Sequence, residues 1–228
     1  MRKTALITGA TGGIGSGFAK ELSKRGYVLY LPVRSMQKID PETGNDLVQE
    51  LITLPNANVS LCNVEDNDQT DIYIHSLAND RLRINVIVLA AGLFLKDEKF
   101  SGASIEEKQE NAVKALLTAN FDTKKNVLQA IKKYFNDQLK DITLIVLSSH
   151  AAKDNFEWAA EQKGYVTAMK KVSSFAKEVE SDYKKVILLE EGRVDTPGLR
   201  IGLNLEGNIP NMEKPEQFAN KVLNEAGL

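Results

Sequence analysis

One stretch constrains this chain more than any other: Thr8-Gly9-Ala10-Thr11-Gly12-Gly13-Ile14-Gly15 follows directly on the apolar Ala5-Leu6-Ile7. Ile14, Phe18 and Leu22 then recur every four residues up to Gly26, a candidate C-cap, so an amphipathic helix begins inside the glycine cluster. A strand, a tight glycine turn and a helix N-terminus leave unpaired amides and a positive helix end facing one point in space, which is an anion site. Glycine lets the backbone turn sharply and approach a bound group with no side chain between. Taken alone the cluster is equally a tight turn without a ligand, and no Gly-Lys-Ser/Thr closes it as in a nucleoside-triphosphate loop.

Short apolar runs repeat down the chain at Tyr27–Leu31, Val59–Cys62, Ile84–Leu89, Ile142–Leu147 and Val186–Leu189, with helical periodicity between them. Several are apolar on consecutive positions, as strands covered on both faces are. The alternation predicts an α/β fold, a parallel sheet with helices on both faces, formed by one domain over residues 1–228. Ser35–Pro55 reads as a loop and a short helix near Leu47–Leu54, and a last helix is expected near Pro215–Ala226 after a loop-rich stretch.

Composition narrows the chemistry. The net charge of −2 gives no reason to expect a nucleic-acid partner, and no apolar run reaches the length of a membrane span. Met1–Thr4 leads straight into a strand, which fits a cytoplasmic protein without a cleavable leader. Cys62 is the only cysteine and His75 and His150 the only histidines, so a disulfide within the chain or a His/Cys metal site is not expected. Cys62 itself reads as a small buried hydrophobe.

The turn resembles that of the short-chain dehydrogenase/reductase family, whose pattern Thr-Gly-x-x-x-Gly-x-Gly is filled by Thr8, Gly9, Gly13 and Gly15, in register from residue 4 to about 197. The resemblance implies a Rossmann doubly wound sheet of about six strands. It also implies a nicotinamide dinucleotide held by Thr8, Gly9, Thr11, Gly12, Gly13, Ile14 and Gly15. A carboxylate after the second strand would select NAD(H); here Arg34 and Ser35 stand there with no acid before Asp40, which favours NADP(H). A solvated arginine at a strand end is the plainer alternative. Asn63-Val64 occupies the adenine-side position, Ala90-Ala91-Gly92 keeps small residues but not the asparagines of the family's Asn-Asn-Ala-Gly, and Thr196 matches the threonine that meets the carboxamide.

The family's acid/base tyrosine falls on Tyr165, sixteen residues past Ser149, a longer gap than usual that contains Phe156 and Trp158. Ser149 is the serine candidate with Ser148 as its rival. Asn120 is the relay asparagine, or else a helix polar group turned to the sheet. The lysine expected four residues after the tyrosine is missing: Met169 stands there, and Lys170 arrives one position late, turned by about 100° unless the helix carries a bulge. The resemblance therefore implies an oxidoreductase passing hydride between nicotinamide and a small carbonyl or alcohol, with Tyr165, Ser149, Asn120 and Lys170 as catalytic candidates. An NADP(H)-binding pseudoenzyme with a regulatory or scaffold role is the alternative. Family members pair through the long helices here at Glu106–Phe135 and Gln162–Glu180, which implies a homodimer, and a seventh strand is expected to be missing. The substrate loop, about Pro197–Met212, carries no readable specificity.

Overall fold

A computed structural model describes residues 2–40, 44–153, 162–190, 194, 196 and 212–228. Its centre is a six-stranded, wholly parallel sheet in the order β3-β2-β1-β4-β5-β6. The strands are β1 (Thr4–Thr8), β2 (Val28–Val33), β3 (Ala57–Leu61), β4 (Val86–Leu89), β5 (Thr143–Leu147) and β6 (Lys185–Leu189). Every residue of β1 and β4 is buried, as consecutive apolar positions demand, whereas the edge strands β3 and β6 are only partly covered.

The helices are α1 (Gly13–Lys24), α2 (Leu47–Ile52), α3 (Asn67–Asn79), α4 (Ile105–Leu117), α5 (Thr123–Tyr134), α6 (Lys163–Glu178) and α7 (Pro215–Ala226). Local chemistry sets several of their ends. Asp66 accepts the amides of Asp68 and Gln69 to start α3, Ser104 caps α4 through the Glu107 amide, and Gly26 follows α1 at positive φ. Two apolar clusters sandwich the sheet: α3, α4, α5 and α6 cover one face through residues such as Ile74, Leu116, Ile131 and Val172. Phe18 and Leu22 of α1, Leu51 of α2, and Phe218 and Leu223 of α7 cover the other.

The long helix anticipated over Glu106–Phe135 runs from Ile105 to Tyr134 but is not regular. Between α4 and α5 the chain makes a π turn over Thr118–Asp122, with Asn120 at its centre. Side chains serve carbonyls along this wide turn: Asn120 Nδ2 donates to Leu116 (3.0 Å), Thr123 Oγ1 to Ala119 (3.0 Å) and Lys124 Nζ to Asn120 (2.9 Å). A wide turn spoils the usual backbone ladder, and it persists where side chains replace the lost donors.

Candidate active site

Strand order reverses between β1 and β4, and in open parallel sheets the crevice beyond such a switch point is where ligands bind. Thr8 and Leu89 are register partners at the mouth of this crevice, so the glycine turn and Ala90-Ala91-Gly92 emerge side by side. Thr8 is buried; its carbonyl accepts the Ala90 amide (3.2 Å) and its hydroxyl the Ala91 amide (3.4 Å). Gly9 has φ +70°, and a Cβ there would stand 2.5 Å from the Ala91 nitrogen. A Cβ on Gly15 would strike the Gly9 carbonyl oxygen, and one on Gly13 would lie 2.5 Å from Cγ2 of Thr196.

These contacts explain the glycines by packing, and the helix end beside them has the chemistry of a candidate anion site. α1 has Gly12 as its N-cap, with no capping side chain and no acidic residue in its first turn. Its leading amides and the positive end of its dipole therefore face the crevice unclaimed by any side-chain cap, as a pyrophosphate requires. Ile14 is half-buried against the α1 side of the core, and Thr11, also half-buried, accepts Lys38 Nζ at its carbonyl (2.7 Å). Arg34 follows β2 with its side chain 73% exposed and pairs with Glu65 at 3.3 Å. Ser35 accepts the Gln37 amide, and Asn63 turns its Oδ1 back to the Glu65 amide (3.2 Å), so both side chains take part in local turns. Val64 is half-buried, and its carbonyl accepts Asn126 Nδ2.

The opposite wall is the segment leaving β4. Asn120 grips Leu93 in it twice, Oδ1 accepting the Leu93 amide (3.1 Å) and Nδ2 donating to the Leu93 carbonyl (2.9 Å). Phe94 meets the ring of Tyr165 edge-on, with centroids 4.7 Å apart, and Asp97 accepts the Gly164 amide at the head of α6 (3.2 Å). Burial raises the pKa of the Tyr165 phenol, and a hydrogen bond with Ser149 partly offsets it. The two serine candidates divide. Ser148 Oγ lies 2.8 Å from Ser173 Oγ and donates to the Met169 carbonyl (3.3 Å), which ties β5 to α6, whereas Ser149 faces the tyrosine.

The structure thus brings Tyr165, Ser149 and Asn120 to one wall and leaves Lys170 off it. α6 is regular from Lys163 to Glu178, without the bulge that could have swung Lys170 inward; Lys170 is exposed and Met169 is 2% exposed. Phe156 and Trp158, and Pro197–Asn211 of the substrate loop, lie outside the described residues. The Cys62 thiol is pushed up to about 11 by burial and stays protonated. Among the described residues there is no cluster of His, Cys, Asp and Glu able to hold a metal, and no helix long and apolar enough to cross a membrane.

One residue escaped the sequence reading. Lys124 is 2% exposed, and its ammonium lies against the Asn120 carbonyl and, at 2.6 Å, the Ala91 carbonyl. Its signal was there to read: Lys124 sits four residues after Asn120 and shares the inward stripe of Val127, Leu128 and Ile131.

Comparison with known proteins agrees with this fold. Residues 3–199 match the family model described as short chain dehydrogenase. An uncharacterized oxidoreductase of Staphylococcus epidermidis is 28% identical over 198 residues, 86% of this chain and 79% of its own length. Human 17-beta-hydroxysteroid dehydrogenase type 3 is 27% identical over 189 residues, 81% of this chain and 55% of its own. Among solved structures, the alcohol dehydrogenase of Thermococcus sibiricus complexed with 5-hydroxy-NADP superposes with a TM-score of 0.75 at 21% identity, covering 100% of this chain and 92% of that one. Actinorhodin polyketide ketoreductase with NADPH gives a TM-score of 0.75 at 19% identity, covering 98% and 89%.

Proposed function

The chain belongs to the short-chain dehydrogenase family, and from that premise we propose that it is an NADP(H)-dependent reductase or dehydrogenase of a small carbonyl or alcohol. The observation that carries this reading is the placing of Tyr165 against Phe94 of the segment after β4, with Ser149 beside its phenol. In the reduction direction Tyr165 gives its proton to the substrate oxygen, and Ser149 orients that oxygen and steadies the phenolate left behind. The amides at the start of α1 hold the pyrophosphate, Thr196 stands over Gly13 where a carboxamide can be met, and Arg34 with Ser35 takes the 2′-phosphate. A nicotinamide bound there supplies or accepts the hydride.

Arg34 supports NADP(H) over NAD(H), since its guanidinium is exposed at the end of β2 and its pairing with Glu65 is a surface pair that a phosphate can outcompete. One relative carries this cofactor in its name, the NADPH-dependent pterin aldehyde reductase of Arabidopsis thaliana, 30% identical over 105 residues, 46% of this chain and 41% of its own length. A small-molecule substrate, a cytoplasmic location and a homodimer through α4, α5 and α6 belong to the same proposal.

The test is steady-state oxidation of NADPH against a panel of aldehydes and ketones, with calorimetric titration of NADPH and NADH beside it. Reduction by the wild type and its loss in Tyr165→Phe, with NADPH affinity retained, is the expected result. Tight NADPH binding with no turnover on any carbonyl would instead establish a nucleotide-binding pseudoenzyme, the reading that the buried Met169 favours.

A further inference from the structure

We propose that Lys124 is the proton-holding group of this site, delivered from α5 in place of the lysine that Met169 displaces from α6. The proposal rests on the reductase reading and on one continuous piece of backbone. The segment after β4 touches Lys124 at Ala91, Asn120 at Leu93, Tyr165 at Phe94 and the head of α6 at Asp97. Ala91 and Phe94 are three residues apart, a span of at most about 10 Å. Lys124 and Tyr165 thus flank the same short wall from two different helices.

The hydrogen bonding of Lys124 is what a titrating amine needs. Its nitrogen donates to two carbonyls, those of Ala91 and Asn120, and among the described residues no carboxylate pairs with it. Two acceptors satisfy both N–H groups of a neutral amine, and the third position on nitrogen is left for a proton to come and go. It sits beside Gly92, where even a Cβ would lie 3.9 Å from Nζ. A plug for the π turn would not require this residue. Asn120 caps the Leu116 carbonyl with a neutral amide, and a buried ammonium is a costly way to do the same work.

Burial brings Lys124 down to about 7, the range in which a proton is both held and released at neutral pH. Burial acts alone there. Asp97 faces the Gly164 amide, Asp122 on the π turn is half-exposed, Lys171 of α6 lies over the Phe121 ring, and Glu65 beyond Asn126 pairs with Arg34. When Tyr165 gives its proton to the substrate oxygen, forming the alcohol O–H, the phenolate in this proposal regains one from the Lys124 ammonium by way of water that would bridge the two. The amine that remains is recharged from bulk water. The transfer runs downhill, because burial raises the tyrosine and lowers the lysine.

The test begins with the wild-type protein, labelled with 13C at the lysine ε-carbons and titrated by NMR with and without NADP+. Lys124 should show a midpoint between about pH 6 and 8, near the value to which burial lowers it; a midpoint above about 9 overturns the proposal, whatever the variants do. Lys124→Arg keeps the donors and the charge but does not release a proton near neutrality. It should bind NADPH within about threefold of wild type, reduce 4-nitrobenzaldehyde about 100-fold more slowly, and lose the limb of the pH profile near 7. Adding Met169→Lys to that variant should restore turnover, which a merely structural role would not allow. Wild-type rates and an unchanged profile in Lys124→Arg overturn the proposal. If the wild type reduces no carbonyl, the reductase reading fails, and the lysine titration still decides whether Lys124 holds a labile proton.

Discussion

The two walls of the crevice are built on different principles. On the β1 side nearly every constraint is backbone against backbone: Gly9 against Ala91, Gly15 against the Gly9 carbonyl, and helix amides toward the anion. On the β4–α6 side the candidate working parts are side chains, Tyr165, Ser149, Asn120 and Lys124, held by a few hydrogen bonds and one ring contact. A backbone site tolerates no substitution, because the only way to fill it is to lack a Cβ. A side-chain site can be served from another helix so long as the functional atom arrives at the same wall. This explains how the glycine pattern can be intact in a chain whose Tyr-x-x-x-Lys motif is broken at Met169.

Substitutions on each wall should therefore fail in different ways. The largest effect is expected from Gly15→Ala, whose new methyl would occupy the space of the Gly9 carbonyl. Both partners are backbone, so the turn must open. NADPH affinity should fall at least about 100-fold and stability by about 2–4 kcal/mol, checked by calorimetry and urea unfolding. Tyr165→Phe should do the opposite, lowering turnover by about 100-fold or more while leaving NADPH affinity within about twofold. If either variant moved both quantities alike, the contrast between the walls would not hold.

A subtler break concerns pH. The lysine is lowered in the fold, so between about pH 7 and its unfolded value near 10.5 the unfolded chain binds more protons than the native one. Wild-type stability should therefore rise with pH over that window, relative to Lys124→Met, by up to about 1.4 kcal/mol per pH unit. Below about pH 7 both states hold the proton, and the difference should be flat. Urea unfolding at pH 6, 7, 8 and 9 checks the slope; parallel curves would show that Lys124 keeps its proton. The smallest effect should come from Arg34→Ala, lowering NADPH affinity about tenfold and leaving NADH unchanged, with Glu65→Gln raising NADPH affinity a few-fold by freeing the guanidinium.

Most of the fold was legible because its signals are local. Each of the six apolar runs became a strand, and the helix expected at Pro215–Ala226 has those bounds, with Pro215 at its first position and Gly227 in the left-handed region behind it. The π turn was not legible. Thr118–Asp122 has no helix breaker, and its widened geometry goes with hydrogen bonds from Asn120 to Leu93, a partner 27 residues away. Of the candidate site, the tight strand-to-helix turn could be read because its close backbone packing is written as residue type. Lys124 could have been picked over Lys125 by its place on the inward stripe with Val127, Leu128 and Ile131, whereas Lys170 looked available until α6 proved regular to its end.

The π turn also gives this helix a spare residue. A wide turn of this kind arises when a continuous helix absorbs one extra position without moving its ends. Deleting Ala119 should let α4 and α5 close into a single ordinary helix, each half still seated on its own part of the sheet, with the ladder repaired and stability held or raised. The Asn120 and Lys124 side chains would then have no opened carbonyls to serve. A protein shortened by one residue could thus be sturdier than its parent and less able to move a proton, which would identify the extra residue as one kept for chemistry at the expense of regularity.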